Sequence, residues 1–181
     1  MIFQAIDIIQ KQLNPVVSAE PGNIGEILSS NNFGADNHVV ISLINIEENR
    51  ISRDPQAYVR TGIELLKKNP AVHLNLTLLF TSVRSDYPSA LMAIQTVIGF
   101  FQNKSFFDHS NTPLLDAAIE KLTFEMVSLN LEQLQQLWSM LGGKYHPSIV
   151  YKVRMVTIDS VSRDKGPLIT EIDANYQHIK I

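Results

Sequence analysis

A strictly alternating strand that hands over to a helix constrains this chain most. From Ala71 to Asp108 the sequence reads AVHLNLTLLFTSVRSDYPSALMAIQTVIGFFQNKSFFD. Val72, Leu74, Leu76, Leu78 and Phe80 alternate with His73, Asn75, Thr77 and Thr81. Period two of this kind predicts a strand with one buried face. The period then lengthens to that of a helix. Asp86 is placed to cap it, Pro88 suits its first turn, and Leu91, Ile94, Ile98 and Phe101 form the expected apolar stripe. The polar positions of the strand carry no recognisable catalytic set.

Periodicity elsewhere completes an α/β outline. Ile2, Ile6, Ile9 and Leu13 predict an amphipathic helix over 2–13, ending before Asn14-Pro15. Residues 14–37 read as irregular, with Pro21-Gly22, Gly25 and Gly34. His38–Ile46 is apolar on both faces and predicts a central strand. A charged connection follows, from Glu47 to Pro70. After the predicted helix, residues 114–120 suggest a short helix and Lys121–Leu129 a strand. Asn130 and Gln133 resemble a capping box, ahead of a stripe of Leu131, Leu134, Leu137, Trp138 and Leu141 that Gly142-Gly143 stops. Ser148–Asp159 reads as a strand and Arg163–Pro167 as a turn or loop. Leu168, Thr170, Ile172, Ala174 and Tyr176 alternate with polar residues, as an edge strand would. The expected architecture is one α/β (α+β) domain over 1–181, a mixed or mainly antiparallel sheet with helices packed on it. Residues 160–181 are read as a C-terminal strand or arm.

Composition narrows the function. With 15 basic and 18 acidic residues the formal charge is −3, which provides no basic field for nucleic acid and no polybasic patch for a membrane surface. No apolar run approaches the roughly 20 residues that span a bilayer, and the start MIFQAIDIIQKQLN lacks the pattern of a signal peptide. There are 0 cysteines, which excludes disulfides, thiolate catalysis and cysteine-ligated zinc. Synthesis in the cytosol fits these features.

The search for chemistry is negative. His38, His73, His109, His146 and His178 show no pairing at helical metal-ligand spacing. Gly142-Gly143-Lys144 follows a helix, whereas a phosphate loop must precede one, so it reads as a helix stop. Glu47-Glu48 are adjacent on a strand and point to opposite faces. No serine occupies a nucleophile elbow, and Trp138 sits on an apolar stripe, where core packing is the plainer reading. The expectation is a non-enzyme without cofactor or metal. Its partner surface would lie on the charged connection, through Glu47, Glu48, Arg50, Arg53 and Arg60, helped by the loop Lys144-Tyr145-His146.

Several segments, taken together, carry a resemblance. They are Val39–Arg50 with its acidic pair, His73–Phe80 followed by Asp86-Tyr87, and Phe100–Asn103 leading to Phe106-Phe107-Asp108. After these come Leu137-Trp138, Leu141-Gly142, Tyr145, Pro147-Ser148 and Tyr151–Val156. In this order and spacing they resemble the cap, or tail-terminator, family of extracellular contractile injection systems, such as the Photorhabdus virulence cassettes and the antifeeding prophage. The resemblance implies a tail-terminator-like fold and a structural subunit, expected to form a hexameric ring. That ring would close the distal end of the inner tube and contractile sheath and stop their growth. Its partners would be further copies of the chain and the tube and sheath proteins, in a particle released from the cell. The rival reading is a non-enzymatic small-molecule-binding or regulatory α/β domain with an apolar pocket between sheet and helices.

Overall fold

In a computed structural model, backbone structure is described for residues 1–29, 37–49, 58–61, 64–68, 72–158 and 161–165. Within these, residues 28–29, 58–61, 64–68, 155–158 and 161–165 are described by backbone alone. The chain forms two compact units, one of Met1–Ser52 with Val72–Ile158 and the other of Arg53–Ala71 with Asp159–Ile181.

The first unit is built on a six-stranded mixed sheet of order β1-β2-β5-β8-β7-β6. Its strands are β1 (Ala19–Pro21), β2 (His38–Glu48), β5 (Val72–Val83), β6 (Phe106–Asp108), β7 (Lys121–Val127) and β8 (Ser148–Ile158). Only the β1–β2 pairing is parallel. The helices are α1 (Ile2–Leu13), α2 (Ile24–Ser29), α3 (Tyr87–Asn103) and α4 (Leu131–Met140). The mixed α/β architecture is the one the sequence predicts, and α1 has the predicted bounds.

Side-chain alternation divides the sheet into two faces. One face presents Val39, Ile41, Leu76, Leu78, Phe80, Leu122, Phe124 and Val153 to α1 and α3. Here Phe101 packs against Phe80, Phe124 and Tyr151, with ring centroids 5.4, 4.6 and 4.6 Å away. The other face presents Val40, Leu79, Val83 and Val150 to Ile24 of α2 and to Leu137 and Leu141 at α4. The predicted one-sided strand is therefore one-sided only in its first half. From Leu79 to Val83 every residue of β5 is buried, because α2 and α4 cover that end.

Helix α3 starts as predicted. Asp86 accepts from the Ser89 backbone N–H at 3.0 Å and Pro88 lies in the first turn. Its buried face is rotated from the expected stripe, however. Ala90, Ala93, Ile94, Val97 and Phe101 face the sheet, while Leu91 is 47% exposed. The small alanines let the helix approach closely, so the larger leucine is left outside. At its far end Lys104 donates to Gln12 Oε1 at 2.8 Å and to the Asn111 carbonyl at 2.9 Å, which fixes α3 to α1.

Other expectations need correction. Residues 14–37 contain β1 and α2: Ser42, buried on β2, accepts from the Ile24 N–H at 3.2 Å and donates to the Gly22 carbonyl at 2.7 Å, holding the segment down. Residues 114–120 form turns, not a helix, since Asp116 Oδ1 takes the Ala118 N–H at 2.9 Å in place of a helical bond. On α4 the capping box forms as predicted, but Leu131 is 85% exposed.

The second unit contains an antiparallel three-stranded sheet of order β3-β4-β9, from β3 (Tyr58–Thr61), β4 (Glu64–Lys68) and β9 (Val161–Lys165). The connection expected over 47–70 thus holds a hairpin, and the turn expected at 163–167 is in β9 through Lys165. Tyr58, Val59 and Thr61 are good strand formers, and two residues join β3 to β4. The expected strand over 168–176 lies outside the described residues.

Candidate partner interface

The expected interface residues fall into separate places. Glu47 projects from β2 beside a part of the sheet that no described helix covers, where cross-strand partners make two polar rows. Asn45, Thr77, Lys152 and Glu125 form one; Glu47 opposite Asn75, and Arg154 opposite Thr123, belong to the next. Glu47 accepts from Lys152, and Arg154 donates to Glu125 at 2.5 Å. Asn45 Nδ2 adds a 3.2 Å bond to Glu47. Glu48 is exposed at the end of β2.

Two bulges shape this end. Leu43 opposes Leu78 and Asn45 opposes Thr77, so Ile44 is the extra residue on β2. On β8, Arg154 and Met155 together oppose Asn75. A bulge turns a strand and strengthens its local twist. Here Ile44 turns toward the cluster under α2 and α4.

Lys144, Tyr145 and His146 lie at the opposite end, ahead of β8. Gly142 and Gly143 have φ of 113° and 81°. The Gly143 N–H donates to the Trp138 carbonyl at 2.7 Å and that of Gly142 to Ser139 at 3.4 Å. This double closure is the Schellman motif, and it confirms the glycine pair as a helix stop. It turns the chain back so that Tyr145 and His146 contact the Trp138 ring at centroid distances of 5.7 and 5.8 Å. Trp138 is buried, as core packing requires, while Tyr145 is 56% exposed. Burial, and then the charge of Lys144, hold His146 below the usual histidine pKa. Tyr145 and Leu134 edge a groove of about 310 Å³ between α4 and the ends of β7 and β8.

Along β5, which pairs with β2 near Asn75 and with Ser148 at Thr81, the two groups are about 20 Å apart at roughly 3.3 Å per residue. They are not one patch. Arg50 and Arg53 lie outside the described residues, and Arg60 is in β3 of the second unit, described by backbone alone. Sequence reasoning missed Lys152, Arg154 and Glu125. Their signal was the alternation Tyr151-Lys152-Val153-Arg154, whose polar half lies on the sheet face away from α1 and α3.

Comparison with known proteins gives this arrangement a class. The fold is shared with sheath and tube terminators. A PVC sheath/tube terminator in its extended state, from an extracellular contractile injection system, superposes with a TM-score of 0.68 at 15% identity, over 99% of this chain and 64% of that one. The anti-feeding prophage tube-terminating cap superposes at 0.66 and 18% identity, over 97% of this chain and 60% of that one. The chain belongs to the Pvc16 N-terminal domain family, which it matches over residues 5–171. The resemblance to the injection-system cap family is thereby borne out. The chain spans a little under two thirds of the two terminators. Curated proteins yield no match to the sequence.

Proposed function

We propose that this chain is the structural cap subunit of a phage-tail-like injection particle. It closes the distal end of the inner tube and contractile sheath and stops their polymerisation. The observation that carries this reading is the family match over residues 5–171, supported by terminator folds along nearly the whole chain. Copies of the chain form a ring, hexameric by the family expectation, with tube and sheath proteins as the other partners, in a particle assembled in the cytoplasm and released. The chain works as one terminator domain without catalysis, and residues 160–181 serve as its C-terminal strand or arm.

Stacked rings make a heterologous contact that repeats until a subunit offers a non-matching face. The charged connection with Glu47, Glu48, Arg50, Arg53 and Arg60 supplies one contact area and the loop Lys144–His146 a second. Deleting the gene for this chain should give tubes and sheaths of uncontrolled or unstable length under electron microscopy, restored by the wild-type copy. Deletion particles of normal length would overturn the reading.

A further inference from the structure

The six-stranded sheet ends unequally on its two sides. On the β1 side, β1 pairs only with Val39–Ile41, so β2 continues beyond its neighbour. That stretch is blunted: Ile44 is bulged, and Asn45 Oδ1 accepts the Ile46 N–H at 2.9 Å. Glu47 and Glu48 follow. A bulge, a self-satisfied N–H and charge are the usual protections of an edge.

The β7 side is less blunted: Lys121 and Glu125 are charged, but among the described residues no bulge breaks its pairing. β6 pairs only with Lys121–Thr123, and the last outward bond runs from the Phe124 N–H to the Ser105 carbonyl at 2.9 Å. In an antiparallel strand, outward bonding recurs at every second residue. The next outward N–H and C=O belong to Met126, and no strand pairs with it on that side among the described residues. Met126 is 57% exposed. Grooves flank it on both faces: about 390 Å³ beside Phe101 and Tyr151, and about 310 Å³ beside Leu134 and Val150. An added strand sends alternate side chains to opposite faces, so paired grooves beside a free edge fit an extended polypeptide.

We propose that this edge accepts β3 of a neighbouring copy, so that the sheet continues across the subunit boundary. The outer edge of β3 carries no paired strand among the described residues. Its sequence, Tyr58-Val59-Arg60-Thr61, has neither proline nor acid to block pairing. Charge matches as well. The β3–β4 ribbon carries Arg60, Lys67 and Lys68 against Glu64 alone, and exposed Glu120 and Glu132 flank β7 against Lys121, while Glu125 is already paired with Arg154. Donor and acceptor are different patches of one chain, so the contact is heterologous and builds a ring wherever its rotation closes. The inference rests on the terminator reading and supplies its copy-to-copy contact.

With 0 native cysteines in this chain, any disulfide between its copies must come from the engineered ones. Met126→Cys in one copy, and Val59→Cys or Arg60→Cys in another, are co-expressed with the remaining particle proteins in the deletion strain. Purified particles are oxidised and run without reductant. The expected result is a mixed dimer band several-fold stronger than the Met126→Cys self-dimer. Met126→Pro, which removes the outward N–H at an exposed edge position, should keep the far-ultraviolet spectrum of the wild type and leave the particles uncapped. Normal-length particles that contain both cysteine variants but show no mixed dimer would overturn the proposal while sparing the terminator reading, as would a dominant self-dimer or full capping by Met126→Pro. If the wild-type chain itself fails to restore length, the terminator reading falls instead.

Discussion

Lys152 on β8 reaches over β5 to pair with Glu47 on β2, joining strands that are not neighbours. Neighbouring strands lie about 4.8 Å apart, so the pair spans two such steps. The lysine is 27% exposed and the glutamate 44%. A half-exposed pair of this kind couples by no more than about 1 kcal/mol. A double-mutant cycle with Glu47→Gln and Lys152→Met should read that value in urea unfolding. Salt near 1 M, where the screening length is about 3 Å, should remove it. A coupling several-fold larger in the isolated chain would mean that the pair is shielded from water by something further.

Leu76 and Thr77 are neighbours on β5 with opposite fates. Leu76 is fully buried, and burying such a side chain contributes roughly 1.5–3 kcal/mol. Leu76→Asp adds an unpaired buried charge to that loss and should abolish soluble folded protein. Thr77→Asp, at a partly exposed position opposite Lys152, should fold and melt within a few degrees of the wild type. Soluble yield and circular dichroism decide it.

Two glycines should respond to alanine with opposite signs. Gly143 has φ of 81° with open space around a Cβ, so only backbone strain opposes the change. Gly143→Ala should cost about 1–2 kcal/mol. Gly99 lies inside α3 with open space as well and no such backbone. Gly99→Ala should stabilise by about 0.5–1 kcal/mol. The urea midpoints should move apart while the m-values stay the same.

The α3 cap gives a signed acid response. The Ser89 hydroxyl and backbone N–H hold Asp86 below its ordinary 3.8. Because the folded-state pKa is depressed, the contribution is complete above the unfolded-state value and is lost as pH falls through the folded one. The melting temperature of the wild type should therefore fall more between pH 5 and the acid limit than that of Asp86→Asn, which keeps a capping oxygen at every pH. Parallel acid curves would remove Asp86 from the account.

Reversing Arg50, Arg53 and Arg60 together to Glu should weaken co-sedimentation with sheathed tubes without changing the circular dichroism spectrum. Each alanine alone should do little, because rim charges mainly set registry and association rate. Undiminished co-sedimentation of a folded triple variant would take the charged connection out of the interface.

Local signals carried most of the fold. Asp86, Asn130 and Gly142-Gly143 mark helix ends through bonds within a turn, so neighbouring residues suffice to read them. What escaped depended on distant partners. α2 is held down by Ser42 of β2, and the orientation of α3 follows from close approach at Ala90 and Ala93, residues too small to weigh in an apolar stripe. The expected interface split for the same reason: the positions of Glu47 and Tyr145 follow from the β2–β5–β8 register, which no single segment encodes. Lys152 was visible as an alternation, but its partner across β5 was not.

The residues that α3 turns to the sheet change in size along its length. Alanines lie at one end and the rings of Phe101, Phe124 and Tyr151 pack at the other, where Lys104 also bonds to α1. Ala90 and Ala93 are buried, so added volume there must overlap the sheet or lift this end of the helix away from it. Three residues separate Val83 of β5 from Tyr87, so a helix lifted at that end pulls directly on the end of the strand.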